Sequence, residues 1–215
     1  MTATMKTLRF GIEIETVGLS KELLARAIQS VVGGTVSGWG SDWSVTDASG
    51  RTWKVEPDRS LSSYGNSGEI VSPILADEDL EVLHAVVRAV HAAGARADYS
   101  TGIHVHVDGS LFNVQALLNL VNFVHKQERL LEHALRITDQ RLGRYCKPIN
   151  AEFMRRLATR KPTTMGQLNQ AWYGRRTDRP TAVTAAAITG STSTASSIAR
   201  RSSSGTSTAR WTPTR

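Results

Sequence analysis

Arg9-Phe10-Gly11-Ile12-Glu13-Ile14-Glu15-Thr16 alternates apolar and acidic residues. A β-strand sends successive side chains to opposite faces, so Phe10, Ile12 and Ile14 should meet a core while Glu13 and Glu15 stand together on the other face. A second run, Ile103-His104-Val105-His106-Val107-Asp108, repeats the device with two histidines and an aspartate opposite three apolar residues. Strands with one apolar face and one face of ligand-type residues point to a sheet lined for a metal ion. Taken alone, Glu13 and Glu15 would also suit the solvated face of an ordinary antiparallel strand. The metal reading therefore rests on both runs together with Glu69, and on nothing in either run alone.

Outward from these strands the pattern is mixed. Ser20 is placed to cap a helix over 21–32, closed by Gly33-Gly34. Short Gly-punctuated pieces around Trp39, over 43–46 and over 51–55 read as antiparallel strands, with a turn at Ala48-Ser49-Gly50, and Trp39, Trp43 and Trp53 read as sheet or core packing. A further strand over 68–74 ends at a proline. Asp77 could cap a helix with the stripe Leu80, Leu83, Val86, Val87 and Val90, stopped by Gly94. Asn113 caps a long helix to about 135, with Leu117, Leu118, Val121, Val124 and Leu131 as its buried stripe, and helices over 150–159 and 164–173 follow. The histidines at 84, 91, 125 and 133 fall in these helices and read as partly exposed. Hairpins without regular strand-helix-strand alternation argue an α+β fold with a mostly antiparallel sheet, one face ligand-lined and helices packed on it.

The chain has 215 residues, enough for one good core. One cysteine, Cys146, excludes an internal disulfide framework and a cysteine metal cluster. The first residues lack the apolar core of a signal peptide and no run is long enough to cross a bilayer, so a cytoplasmic location and no membrane partner are expected. The net charge of +7 suggests nucleic acid until its distribution is seen. Residues 1–174 hold 19 basic and 18 acidic side chains, a net of +1, and the excess sits in seven arginines from Arg175 onward. That tail has no periodic arginines and no aromatic residue beyond Trp211, so no specific nucleic-acid recognition is expected.

Past 174 the composition changes. Residues 181–215 contain nine Thr, eight Ser and seven Ala, and no Leu, Phe, Tyr, Asp, Glu or Lys, which cannot build a core and would be disordered at face value. Apart from Val183, Ile188 and Ile198, every residue there is of a type with C or G at the middle codon position, as expected when a gene rich in G and C is translated out of register. A one-base back-shift lets 184–200 read DSSRYHGLNLHSVFYR and lets 202–212 end in WYFNGTL. The expectation is an incomplete catalytic domain over 1–174, lacking its last strands, and an out-of-frame tail over 175–215.

FGIEIE (10–15), KVEPDRSL (54–61), GEIVSPIL (68–75) and TGIHVHVD (101–108), in this order, resemble the amidoligase family, within the carboxylate-amine ligase superfamily that shares the glutamine synthetase and glutamate-cysteine ligase catalytic fold. The resemblance covers about 7–174, and the back-shifted tail offers close relatives of the family's continuation. It implies an ATP-dependent, Mg²⁺-dependent reaction, with Mn²⁺ usable, in which a carboxylate becomes an acyl phosphate and an amine then attacks it. By the same resemblance Glu13, Glu15, Glu69 and His104 are metal ligands, the three glutamates also serving catalysis. Glu56 and Asp58 are expected to hold the substrate amine or a second metal shell, although Pro57 between them equally suits a turn. His106 and Asp108 point the same way nearer the rim, His106 toward bound cofactor, and Arg144 is a candidate for a phosphate or carboxylate. The substrates would be small-molecule or peptide carboxylates and amines. Two other readings stand beside this one: a non-catalytic remnant that binds metal or nucleotide, and a cupin-like metal protein. Cupins place a glutamate soon after the second histidine, where this chain has Val107-Asp108-Gly109-Ser110-Leu111.

Overall fold

A computed structural model of the chain describes residues 5–63, 65–135, 137–144 and 147–174, with 188–189, 195–196 and 198–199. The first alternating run is strand β1 (Phe10–Val17), followed by helix α1 (Lys21–Val32), β2 (Thr35–Trp39), β3 (Asp42–Thr46), β4 (Thr52–Glu56), β5 (Ser67–Val71), α2 (Leu80–Ala93) and β6 (Ile103–Asp108). The six strands form an antiparallel sheet in the order β2-β3-β4-β5-β1-β6, which puts β1 between the Glu69 strand and the histidine strand. Four more helices follow: α3 (Val114–Ala134), α4 (Asp139–Arg144), α5 (Ala151–Arg160) and α6 (Met165–Tyr173). The fold is α+β, as the pattern requires. Among the described residues β2 lies at one end of the strand order and the two-residue strand Ile198–Ala199, beside β6, at the other, so the sheet is open and not a closed cupin-type barrel.

Local chemistry sets the boundaries. Ser20 Oγ accepts from Leu23 N at the start of α1, and Gly33, at φ 69°, ends it. Asn113 caps α3 on Ala116 N at 2.8 Å, and Asn150 caps α5 on Glu152 N and Phe153 N. The 48–50 turn is tied down by Asp47 Oδ1, which accepts from Ser49 N at 2.9 Å and Arg51 N at 2.8 Å. Gly38, at φ 154°, is closed in by the backbone of β3, because a Cβ there would stand 2.5 Å from Asp42 O and 2.7 Å from Trp43 Cα, so a larger residue would force the paired strands apart.

The apolar face of the sheet packs on α1 and α2. Leu24, Ala25, Ile28, Val45, Trp53, Val55, Ile70, Leu75, Leu83, Val86 and Val90 form its buried core, with Phe10, Ile12 and Ile14 packed against them. A second apolar cluster joins α3, α5 and α6 through Val121, Phe153, Leu157 and Ala171, with Phe153 edge-on to Trp172 at 4.6 Å.

Three details depart from the sequence pattern. Leu80 and Val87 of the expected α2 stripe are exposed, because α2 turns only Leu83, Val86 and Val90 fully inward. On α3 the position one heptad after Val121 is Glu128, which is buried because its carboxylate accepts from Ile149 N at 2.6 Å. Trp39, expected in packing, is 91% exposed at the end of edge strand β2, whereas Trp53 is fully buried and Trp43 partly so. Helix α4 was not marked by any periodic signal.

Among the described residues no helix is long and apolar enough to cross a membrane. Of the tail, Ile198–Ala199 runs parallel to β6 at Val107–Asp108, and Ile188–Thr189 pairs with Ala195–Ser196. The expectations of disorder and of a shifted frame otherwise fall outside the described residues.

Trp53→Ala should cost about 3–5 kcal/mol in a urea denaturation series, the range for an aromatic residue removed from a packed core. Trp39→Ala should stay within about 0.5 kcal/mol of the parent.

Candidate metal centre

The register of four strands assembles the site. Glu15 on β1 lies opposite Glu69 on β5, Glu69 lies opposite Glu56 on β4, and on the other side Glu13 lies opposite His104 on β6. Because each strand alternates, the same pairing that turns Ile14, Ile70 and Val55 toward the helices turns Glu13, Glu15, Glu69, Glu56, His104 and His106 to the opposite face. A solvated strand face would leave its carboxylates in water. Glu13 and Glu15 are only 7% and 8% exposed, which removes that alternative.

Each buried glutamate meets a histidine. His104 Nε2 lies 3.4 Å from Glu15 Oε1, and His106 Nε2 lies 3.3 Å from Glu13 Oε1. The bond to Glu15 raises the His104 pKa above its ordinary value of 6.5 against the opposing effect of burial, with Glu13 and Glu69 adding to the rise. Glu13 Oε1 is buried and accepts no hydrogen bond among the described residues. Glu69 is under the greatest strain of charge: burial first, then Glu13, Glu15 and Asp58, push its pKa from 4.5 to about 8.

The donor atoms converge in two overlapping groups. Glu13, Glu69 and His104 each bring one donor atom into a set whose members lie within 4.8 Å of one another, and Glu15, Asp58 and Glu69 do the same. Glu69 belongs to both. Carboxylate oxygens with one imidazole nitrogen suit Mg²⁺ or Mn²⁺, and a crowded, partly unsatisfied set of acids fits a divalent cation better than it fits itself.

The remaining candidates are distributed less tightly. Asp58 brings a carboxylate oxygen into the second donor group, although the neighbouring Pro57 suits a turn. Glu56 is on the same face but bonds Lys54 Nζ at 3.1 Å. Lys54, two positions before Glu56 on β4, stands on the same face by strand alternation. His106 lies behind Glu13. Asp108 accepts from Arg9 Nη2 at 2.7 Å and caps the following turn at Ser110 N, so it serves the end of β6. Burial opposes its ionisation, yet these bonds hold its carboxyl below the usual range. Arg144 ends α4, and its side chain lies outside the described structure.

The sequence model of the family described as "Putative amidoligase enzyme" matches residues 6–211. The chain belongs to this amidoligase family. The match runs past 174, to which the resemblance extends, and marks the protein as a ligase-type enzyme at that level of description. No curated protein and no solved structure matched the chain. Within the amidoligase chain, Glu13 and Glu15 of FGIEIE, Glu69 of GEIVSP and His104 of TGIHVHVD are thus brought together although they are distant in sequence.

Two titrations make the metal-free protein less stable as pH rises. Glu69 binds its proton more tightly folded than unfolded, so stability should fall between about pH 4.5 and 8 and level off above. His104, with its folded pKa raised, contributes fully below about 6.5 and loses that contribution as pH rises through the folded value. In thermal melts with chelator, Glu69→Gln should therefore flatten the decline between pH 5 and 8 and melt above the parent at pH 8.

Proposed function

We propose that the protein is an ATP- and Mg²⁺-dependent carboxylate-amine ligase that forms an amide through an acyl phosphate. The observation that carries this reading is Glu69 shared between two groups of donors, each within a 4.8 Å span, on the buried polar face of the sheet. In the reaction, a carboxylate oxygen of one substrate attacks the γ-phosphorus of ATP and ADP leaves. The nitrogen of the second substrate then attacks the acyl carbon, phosphate leaves with the C–O bonding pair, and the nitrogen gives up a proton. Bound Mg²⁺ supplies neutralisation of phosphate charge, the main requirement of phosphoryl transfer.

The residues divide this work by position. Glu13, Glu69 and His104 would hold one cation and Glu15, Asp58 and Glu69 a second. His106 would orient Glu13 from β6, in the manner of a group standing behind a metal ligand, while His104 is itself in the first donor set. Glu56 offers a negative charge to an incoming amine, and Lys54 a positive one to a carboxylate or phosphate. Arg144 is kept as a candidate for the same anionic groups. The substrates would be small molecules or peptides carrying the carboxylate and the amine.

Glu13→Gln should lower Mg²⁺-dependent release of ADP and phosphate on the order of a hundredfold or more, beyond the loss typical of groups behind a ligand, while circular dichroism and the melting profile stay folded. Unchanged turnover in a folded variant would overturn this assignment. Residual turnover that survives without any divalent cation would overturn the metal dependence.

A further inference from the structure

Asp58 is the one member of the ligand cluster that does not sit on a strand. Glu13, Glu15, Glu69 and His104 are held by the sheet ladder, but the loop over 57–66 between β4 and β5 has no ladder of its own. Its carboxylate is fixed locally, because Asp58 Oδ1 accepts from Ser60 N at 2.6 Å. The loop is held at its far end by Asn66 O, which accepts from Gly18 N at 2.7 Å, and nearer Asp58 by buried Leu61 and, one residue later, by Ser62. The Ser62 hydroxyl donates to Asp98, and Ser62 N donates to Ser100 Oγ at 3.0 Å.

Asp98 in turn organises the turn that feeds the histidine strand. Asp98 Oδ1 accepts from Ser100 N at 2.7 Å and from Ser100 Oγ at 2.6 Å, and Asp98 N donates to Thr101 Oγ1 at 3.0 Å. Ser100 and Thr101 are buried. Glu15 N donates to Gly102 O at 3.0 Å, so the next residue is already locked to a ligand-bearing strand, and His104 follows two positions on. Helix α4 grips the same turn where Arg141 Nη1 donates to Tyr99 O at 2.8 Å.

We infer that Asp98 is the positioning residue of the Asp58 ligand: through Ser62 it ties the β4–β5 loop to the turn bonded to Glu15, and so sets where Asp58 stands relative to Glu15 and Glu69. It touches neither substrate nor cation. The inference rests on the metal reading above and adds that one half of the site depends on a carboxylate outside the ligand set. The half built from Glu13, Glu69 and His104 lies wholly on strands, where the sheet ladder sets the register of its residues.

The test is a Mn²⁺ titration of the whole chain at fixed pH, reading free Mn²⁺ by electron paramagnetic resonance. The parent should bind two classes of Mn²⁺. Asp98→Asn keeps the size and one acceptor oxygen but loses the charge, and should weaken one class roughly tenfold while sparing the other. Asp58→Asn should weaken the same class, and the double variant should lose little more than Asp58→Asn alone, because both changes act on one ligand. Ser62→Ala, which removes a single hydroxyl, should move that class in the same direction and decides the matter if Asp98→Asn fails to fold. Unchanged affinities in folded Asp98→Asn, or equal weakening of both classes, would overturn the positioning role while leaving the metal reading standing. A parent that binds no Mn²⁺ would overturn the metal reading and this inference together.

Discussion

Like charges packed together on a partly buried sheet face set the terms for this molecule. Unit charges a few ångströms apart in a partly desolvated setting repel by several kcal/mol, and four carboxylates meet around Glu69. Two features answer this crowding. Burial and the neighbouring carboxylates push the Glu69 pKa up to about 8, and the imidazoles of His104 and His106 stand against Glu15 and Glu13. Both are partial, since Glu13 Oε1, though 3.3 Å from His106 Nε2, is buried and accepts no hydrogen bond among the described residues. Divalent cations answer the same imbalance in the way that phosphoryl transfer requires, which links the cost of assembling this face to the chemistry proposed for it.

The opposite face of the same strands supplies the stability that such crowding consumes. Phe10, Ile12, Ile14, Val55 and Ile70 are locked against α1 and α2, so the register of β4, β5, β1 and β6 is set by apolar burial. A slip by one residue would exchange core for carboxylates. Alternation therefore couples the two requirements: the packing that holds the sheet is also what holds Glu13, Glu15, Glu69 and His104 in line. Asp58 escapes this coupling and needs the separate network centred on Asp98.

Much of this was legible in the sequence, for reasons particular to each element. The caps Ser20, Asn113 and the stop at Gly94 mark helix ends because the side chain or missing Cβ acts within a few residues. Period-two alternation at 10–15 and 103–108 gives both strands and both faces. The exposure of Trp39 and Val87, the burial of Glu128 and the existence of α4 were not legible, since each depends on which neighbour lies alongside. Lys54 was overlooked although the alternation that marks Glu56 marks it too.

By itself the sequence determined the α+β class, the ligand-type residues and the strands that carry them, because those properties are local and periodic. Tertiary structure alone decided that β1 lies between β5 and β6, that Glu69 is common to two groups of donors, and that Asp58 reaches them by way of Asp98. The reason is physical. Strand order and loop anchorage follow from burial and hydrogen bonds between segments tens of residues apart, and no local pattern records which distant partner will take them.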